Sequence, residues 1–327
     1  MNIFFDKKIK MYGDLLGLIF TYLQQKDQVQ LSQCSSFIFQ SPLMNITKLS
    51  NTERLTQEIL EKKSIITNDY LWKDLLLLNT DNCDSSTVDL TPICENLQIL
   101  LAPNVPINQA SLEKLQKIKV LYMTEITSIP PLMAKTIEIL ILVHGSDIPS
   151  LEGEFPRIKT LNGNYNSDLK FISLSICDNL EVLYAEGYSG INQAVISNLK
   201  RLKKLYISDN DKITSLPLTI VDTLEVLYAA KNCGLNQESI ISLKRLRILD
   251  ASNNPKIHSV IHLSESLEIL YADDNCGINQ AGITGDFKRL KKLHIYDNNN
   301  IISVDHLLGT LTQLLTFEDK PIRGFSF

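Results

Sequence analysis

The chain has 327 residues, 44% of them apolar and 21% charged, with a net charge of −5. This composition predicts a packed core and disfavours a nucleic-acid backbone binder, which needs a basic face. The opening MNIFFDKKIKMYGD interrupts its apolar run with charges, unlike a secretory leader. No uncharged apolar run of about 18 residues follows, so no membrane-spanning helix is expected.

Residues 1–45 are read first, as a helical unit. In MYGDLLGLIFTYLQQ, the side chains of Leu15, Leu16, Ile19, Phe20 and Leu23 share one helical face. Gln24-Gln25-Lys26 breaks the pattern, and Asp27 is set to cap a second short helix burying Val29, Leu31 and Cys34. Two such helices cannot bury their apolar residues alone and need the rest of the chain or a partner. In Ile19, Phe20, Tyr22, Leu23, Lys26-Asp27, Leu31, Ser32 and Cys34 the segment resembles an F-box. It departs from that pattern with Met11-Tyr12-Gly13 where a proline is usual, Phe37 where a tryptophan is usual, and Pro42 in the third helix. The resemblance implies contact with a Skp-type adaptor of a cullin ubiquitin ligase through Leu15, Leu16, Ile19, Phe20, Leu23 and Leu31. The alternative is a cap over the open edge of the stack that follows.

Residues 46–70, including NTERLTQEILEKKSIITNDY, read as a polar linker or an irregular capping coil. From about residue 71 to 327 the chain repeats itself. LEVLYAEGYSGINQ begins at Leu180, LEVLYAAKNCGLNQ at Leu224 and LEILYADDNCGINQ at Leu267. Between them stand LKKLYISDNDKI at Leu202, LRILDASNNPKI at Leu246 and LKKLHIYDNNNI at Leu290. From Leu180 through Leu202, Leu224, Leu246, Leu267 and Leu290 to Leu311 the steps are 22, 22, 22, 21, 23 and 21 residues. Ile158, Ile137, Ile118, Leu97 and Trp72 extend the series backwards to about twelve units. Each unit reads L-x-x-L-x-[LAI]-x-x-N-x-x-[IL], which resembles a leucine-rich repeat from roughly Leu71 to Ile322. The resemblance implies an α/β solenoid with one short parallel strand per coil lining a concave face.

The columns have physical content. Leu224, Leu227 and Ala229 are expected to point inward, with Val226 and Tyr228 outward. Asn210, Asn232, Asn254, Asn275 and Asn298 form a column that can bond backbone groups at the bend. In odd coils G-[IL]-N-Q opens a helical run capped by Asn192, Asn236 or Asn279, while even coils such as PLTIVDT are expected to return with less helix. The second position alternates Glu138, Lys159, Glu181, Lys203, Glu225, Arg247, Glu268 and Lys291, so each acid lies between bases on coils about 4.8 Å apart. That ladder reads as a register device.

The six cysteines contain no C-x-x-C pair, which speaks against a zinc site and for free thiols in a reducing, intracellular compartment. Cys233 and Cys276 fall two coils apart, about 10 Å, beyond the roughly 7 Å reach of a disulfide. No phosphate loop or nucleophile elbow is present, and His258 and His262 fall in a return loop. Neither catalysis, a metal nor a cofactor is expected. The fifth position of each unit faces outward: Tyr122, Tyr184, Tyr206, Tyr228, Asp250, Tyr271 and His294 are the candidate protein-binding residues. Tyrosine supplies large area with few torsions. The reading is a protein-binding receptor, with an F-box-type link to a ubiquitin ligase, or else a scaffold whose N-terminal helices only cap the stack. The wording LYAxxNCGINQ in strict pairs also resembles repeat families of large DNA viruses of amoebae, which implies host proteins as partners.

Overall fold

The structure, a computed structural model, describes residues 77–79, 90, 94, 97–102, 106–124, 126–142 and 148–316. The expected F-box-like helices at 1–45, and the segment 46–70, lie outside the described residues. The strands in chain order are β1 (Leu77–Asn79), β2 (Ile99–Ala102), β3 (Val120–Met123), β4 (Ile139–Ile141), β5 (Ser150–Leu151), β6 (Thr160–Asn162), β7 (Phe171–Ile172), β8 (Val182–Tyr184), β9 (Lys204–Tyr206), β10 (Val226–Tyr228), β11 (Ile248–Asp250), β12 (Ile269–Tyr271), β13 (Lys292–His294) and β14 (Gln313–Leu315). Twelve of them form one parallel sheet in chain order; β5 and β7 pair separately. The register joins equivalent repeat positions, Leu183 to Leu205 to Leu227 to Leu249. One step differs from expectation. Leu77 pairs with Ile99, so the first strand begins three residues later than a unit starting at Trp72 requires.

The inward columns form one continuous core. Leu224, Leu227, Ala229 and Leu235 are fully buried, as are Leu202, Leu205, Ile207 and Ile213 in the neighbouring coil. One coil has no second apolar layer of its own, so only stacking removes these side chains from water.

The bend works differently in alternate coils. In even coils the asparagine turns inward. Asn210, Asn254 and Asn298 donate to the carbonyls of Ala185, Ala229 and Ala272 in the previous coil at 2.8–2.9 Å. Each also accepts from the backbone N–H two residues on, at 3.0 Å. In odd coils Asn232 and Asn275 are exposed, and Cys233 and Cys276 occupy the interior instead. The expected asparagine column is therefore half right. Odd coils turn the tenth position inward rather than the ninth, because their backbone closes directly on the preceding coil: Gly190, Gly234 and Gly277 donate to the carbonyls of Asn166, Asn210 and Asn254. A Cβ at Gly234 would strike the Ile213 carbonyl oxygen, and one at Gly277 the Pro255 carbonyl oxygen.

The odd coils also carry a device that the sequence pattern names without explaining. Asn192, Asn236 and Asn279 cap the helical turns Gln193–Ile196, Gln237–Ile240 and Gln280–Ile283 as expected. The glutamine beside each cap reaches into the next coil. Gln237 Oε1 accepts from His258 and Ser259 N–H at 2.8 Å, and its Nε2 donates to the Ser259 carbonyl at 3.0 Å. Gln193 and Gln280 repeat the arrangement with Thr214–Ser215 and Ile302–Ser303. A primary amide thus substitutes for a missing strand pairing on the far side of the coil. The even coil at Leu202 departs from expectation by forming a helical turn, Leu218–Val221, as long as those of the odd coils. The next two even coils return through 3-10 turns, Ile261–Leu263 and Asp305–Leu307.

Asn254→Ala is expected to cost about 2–4 kcal/mol by stranding buried backbone groups, whereas Asn232→Ala should stay within about 0.5 kcal/mol as an ordinary surface change. Urea denaturation of both variants checks the contrast.

Candidate functional site

The fifth positions meet on one face of the sheet. Tyr184 pairs with Tyr206, Tyr206 with Tyr228, Tyr228 with Asp250, Asp250 with Tyr271 and Tyr271 with His294. Strand spacing puts these side chains about 4.8 Å apart, which is stacking distance. The rings of Tyr184 and Tyr206 lie 4.2 Å apart at 13°, and those of Tyr206 and Tyr228 4.8 Å apart at 18°. Beyond Asp250 the ribbon continues: Tyr228 and Tyr271 lie 6.3 Å apart at 34°, and Tyr271 meets the His294 ring at 4.5 Å, nearly edge-on. All five rings are half-buried. Each close pair contributes about 0.5–1.5 kcal/mol beyond area burial, so the rings hold one another in place.

Tyr122 does not join them. It keeps the register of the face but is only 6% exposed, and its neighbours Val120, Ile139, Ile141, Thr160 and Asn162 are buried as well. Both face positions are apolar across β3 and β4, and this half of the face is closed to solvent. The open half begins at β8. Its third positions are Val182 and Val226, both buried, half-buried Ile248 and Ile269, and exposed Lys204 and Lys292.

Just past the strand ends lie residues that a reading confined to the third and fifth positions passes over. Asp273 occupies the seventh position of its unit. Burial pushes its carboxyl up to about 6, against the lowering effect of the Tyr296 N–H bond, with Asp250 and Asp274 adding to the rise. The Tyr296 N–H reaches Asp273 Oδ1 at 2.7 Å. Burial first, and then Asp250 and Asp273, raise the Tyr271 hydroxyl. The next residue in each unit has a left-handed backbone: Asp209, Lys231, Asn253, Asp274 and Asp297 have φ of 55–62°. This bend leads the chain off the strand, and three of the five residues are aspartates. The signal was available as a column in the repeat.

The charge ladder forms around Glu181 and Arg247. Glu181 bonds Lys159 at 2.9 Å and Lys203 at 2.8 Å; Arg247 bonds Glu268 at 2.9 Å and lies 3.8 Å from Glu225. Lys203 holds the Glu181 carboxyl below its usual range, and Arg247 does the same for Glu268. His262 and His306 each place Nε2 against a carbonyl of the preceding coil, Ile240 and Ile283, at 2.9 and 2.8 Å. His262 thus has a structural contact, and it is not paired with His258. Cys177, Cys233 and Cys276 are free and buried, and Cys94 is buried. Among the described residues no group of three or more His, Cys, Asp or Glu is arranged to hold a metal, and no helix is long and apolar enough to cross a membrane.

One strand per coil, a leucine-lined core and an open parallel sheet face define this architecture as a leucine-rich repeat solenoid. No family model and no curated protein matches the chain. Among solved structures it is similar to an internalin from Listeria monocytogenes, at 16% identity over 82% of this chain and 91% of that one, with a TM-score of 0.40. It is also similar to the ectodomain of the plant receptor kinase GASSHO1/SCHENGEN3 from Arabidopsis thaliana, at 16% identity over 72% of this chain and 29% of that one, TM-score 0.37. A chain of the yeast Rad7–Elc1 complex gives 13% identity over 92% of this chain and 97% of that one, TM-score 0.35.

The raised Asp273 fixes the sign of a pH effect. Its folded pKa lies above the unfolded value, so its contribution to stability is fully present below about pH 4 and is lost as pH rises through about 6. Asp273→Asn keeps an oxygen for the Tyr296 N–H. It should raise the thermal midpoint at pH 7.5 and leave it unchanged at pH 3.5, measured by calorimetry.

Proposed function

We propose that this chain is a protein-binding module that receives its partner along the open half of the concave face, from Tyr184 to His294. The observation that carries the reading is the pre-stacked ring series Tyr184–Tyr206–Tyr228 on an accessible sheet surface. Strand propensity accounts for tyrosine in a strand but not for three half-exposed rings in one register. With Tyr122 buried, four tyrosines remain. Each burying about half of ~200 Å² gives roughly 400 Å², about half of the ~800 Å² that one side of a standard interface loses. Ile248, Ile269, His294 and the lysine stems supply further area.

The finer form of the proposal is a substrate receptor. Residues 1–45 would dock a Skp-type adaptor through Leu15, Leu16, Ile19, Phe20, Leu23 and Leu31, while the tyrosine face holds the protein to be ubiquitinated. Its support is the F-box-like pattern of the sequence. The second reading is a scaffold in which the same helices only cover the end of the stack. Its support is the buried first half of the concave face, which continues the apolar interior towards the N-terminal coils.

Affinity capture with the full chain, compared with a Tyr206→Ala/Tyr228→Ala variant of equal thermal midpoint, tests the face. Partners should be lost with the two rings, and retention of every captured protein would overturn the reading. For the N-terminal arm, a purified Skp-type adaptor should bind the chain and not a Leu16→Ala/Phe20→Ala variant. If deleting residues 1–45 instead lowers the midpoint by several degrees with no adaptor bound to the intact chain, the helices are a cap.

A further inference from the structure

The tyrosine ribbon is interrupted once, at Asp250, and the interruption has a shape. Tyr228 and Tyr271 are two strands apart, about 9.6 Å by strand spacing. Their ring centroids nevertheless lie only 6.3 Å apart. The two rings therefore lean towards each other across the strand that carries Asp250. The result is a slot with an aromatic wall on each side and a carboxylate between the strands that bear the walls. Ile248 and Ile269 line the same face one pleat away.

We infer that this slot receives an arginine side chain from the partner protein; the inference rests on the concave face being the binding surface. Three observations converge on that occupant. The first is size. A planar group in contact with a ring on each side needs about 7 Å between the rings, two contacts of roughly 3.5 Å; the centroids stand at 6.3 Å with the rings tilted by 34°, so the rings admit such a group by opening slightly. The second is charge. Asp250 is carried by the strand between those that bear the walls, and Asp273 and Asp274 follow at the end of β12. The carboxyl of Asp273 is raised first by burial and then by the neighbouring acids Asp250 and Asp274, which places three acids close together at this end of the slot. The face lysines Lys204 and Lys292 lie on β9 and β13, outside the three strands that build the slot, and Lys231 lies on the bend after β10. The third is chemistry. A guanidinium stacks on tyrosine faces and pairs with a carboxylate at the same time, which a leucine or a carboxylate side chain cannot do. A lysine would use the charge and one ring but leave the second ring unexploited. From Tyr184 to His294 the ribbon crosses six strands, about 24 Å, or roughly seven extended residues of a bound segment.

The test uses random twelve-residue peptides displayed on phage and selected on the full chain, with each selected peptide then measured by calorimetry. The expected result is a recurrent arginine in peptides whose binding is lost with Tyr206→Ala. Replacing that arginine by citrulline, which keeps the planar shape and removes the charge, should weaken binding at least tenfold. Asp250→Asn should weaken the arginine peptide to a similar degree while keeping an oxygen for the Ser252 N–H. Two controls separate the failures. Tyr206-dependent peptides without a basic residue, or peptides indifferent to citrulline or to Asp250→Asn, overturn the arginine slot and leave the binding face standing. A recurrent lysine that tolerates Tyr228→Ala likewise overturns the slot as a stacking site. Absence of any Tyr206-dependent peptide overturns the slot and the binding face together.

Discussion

The constraint behind this molecule is that no coil can satisfy itself. A unit of about 22 residues has one apolar edge and a backbone that bends twice, and it has neither a second layer to cover the edge nor internal partners for the bends. Both needs are met only by the coils before and after it. On the strand side the parallel ladder does this without side chains. On the bend side, side chains must do it, and they do so in two alternating ways. Even coils send an asparagine amide backwards into the carbonyls of the previous coil. Odd coils send a glutamine amide forwards and use glycine to bring backbone against backbone. The pair of coils is therefore the true repeating unit, because each type of junction needs the other type beside it.

The aromatic face is a by-product of the same stacking. Once equivalent residues are placed at strand spacing, five aromatic side chains at one column position become a ribbon with ring contacts of 4.2–4.8 Å wherever neighbours are aromatic. Where an acid stands in the column, at Asp250, the flanking rings of Tyr228 and Tyr271 still lie 6.3 Å apart. One member of the face column can change at a time without disturbing the core, because core and surface positions alternate along each three-residue strand. The ladder at the second position acts in the opposite sense: its acids and bases bond only with the coils in their present order, and a slip by one coil would set like charges side by side.

Much of this was legible in the order of residues. The period, the number of coils, the inward leucines, the asparagine caps and the shared face of Tyr184, Tyr206 and Tyr228 all follow from spacing, since a repeat converts distance along the chain into adjacency in space. The alternation of acid and base at the second position was likewise enough to anticipate the contacts of Glu181 with Lys159 and Lys203.

What spacing could not decide were matters of one residue's rotation or of what lies opposite. Asn210 and Asn232 hold the same place in their units, yet one is buried and the other exposed, because the bend that closes on Gly234 turns Cys233, just before it, inward. Tyr122 and Tyr184 also share a column, but the first belongs to a covered half of the sheet and the second to an open half. Trp72 looked like the first unit's start until strand pairing set the phase three residues later. The chain by itself determined which residues would become neighbours, because that depends only on the repeat. Which of those neighbours meet solvent, and which amide reaches which carbonyl, were settled only in the tertiary structure, because they depend on how closely two particular coils approach.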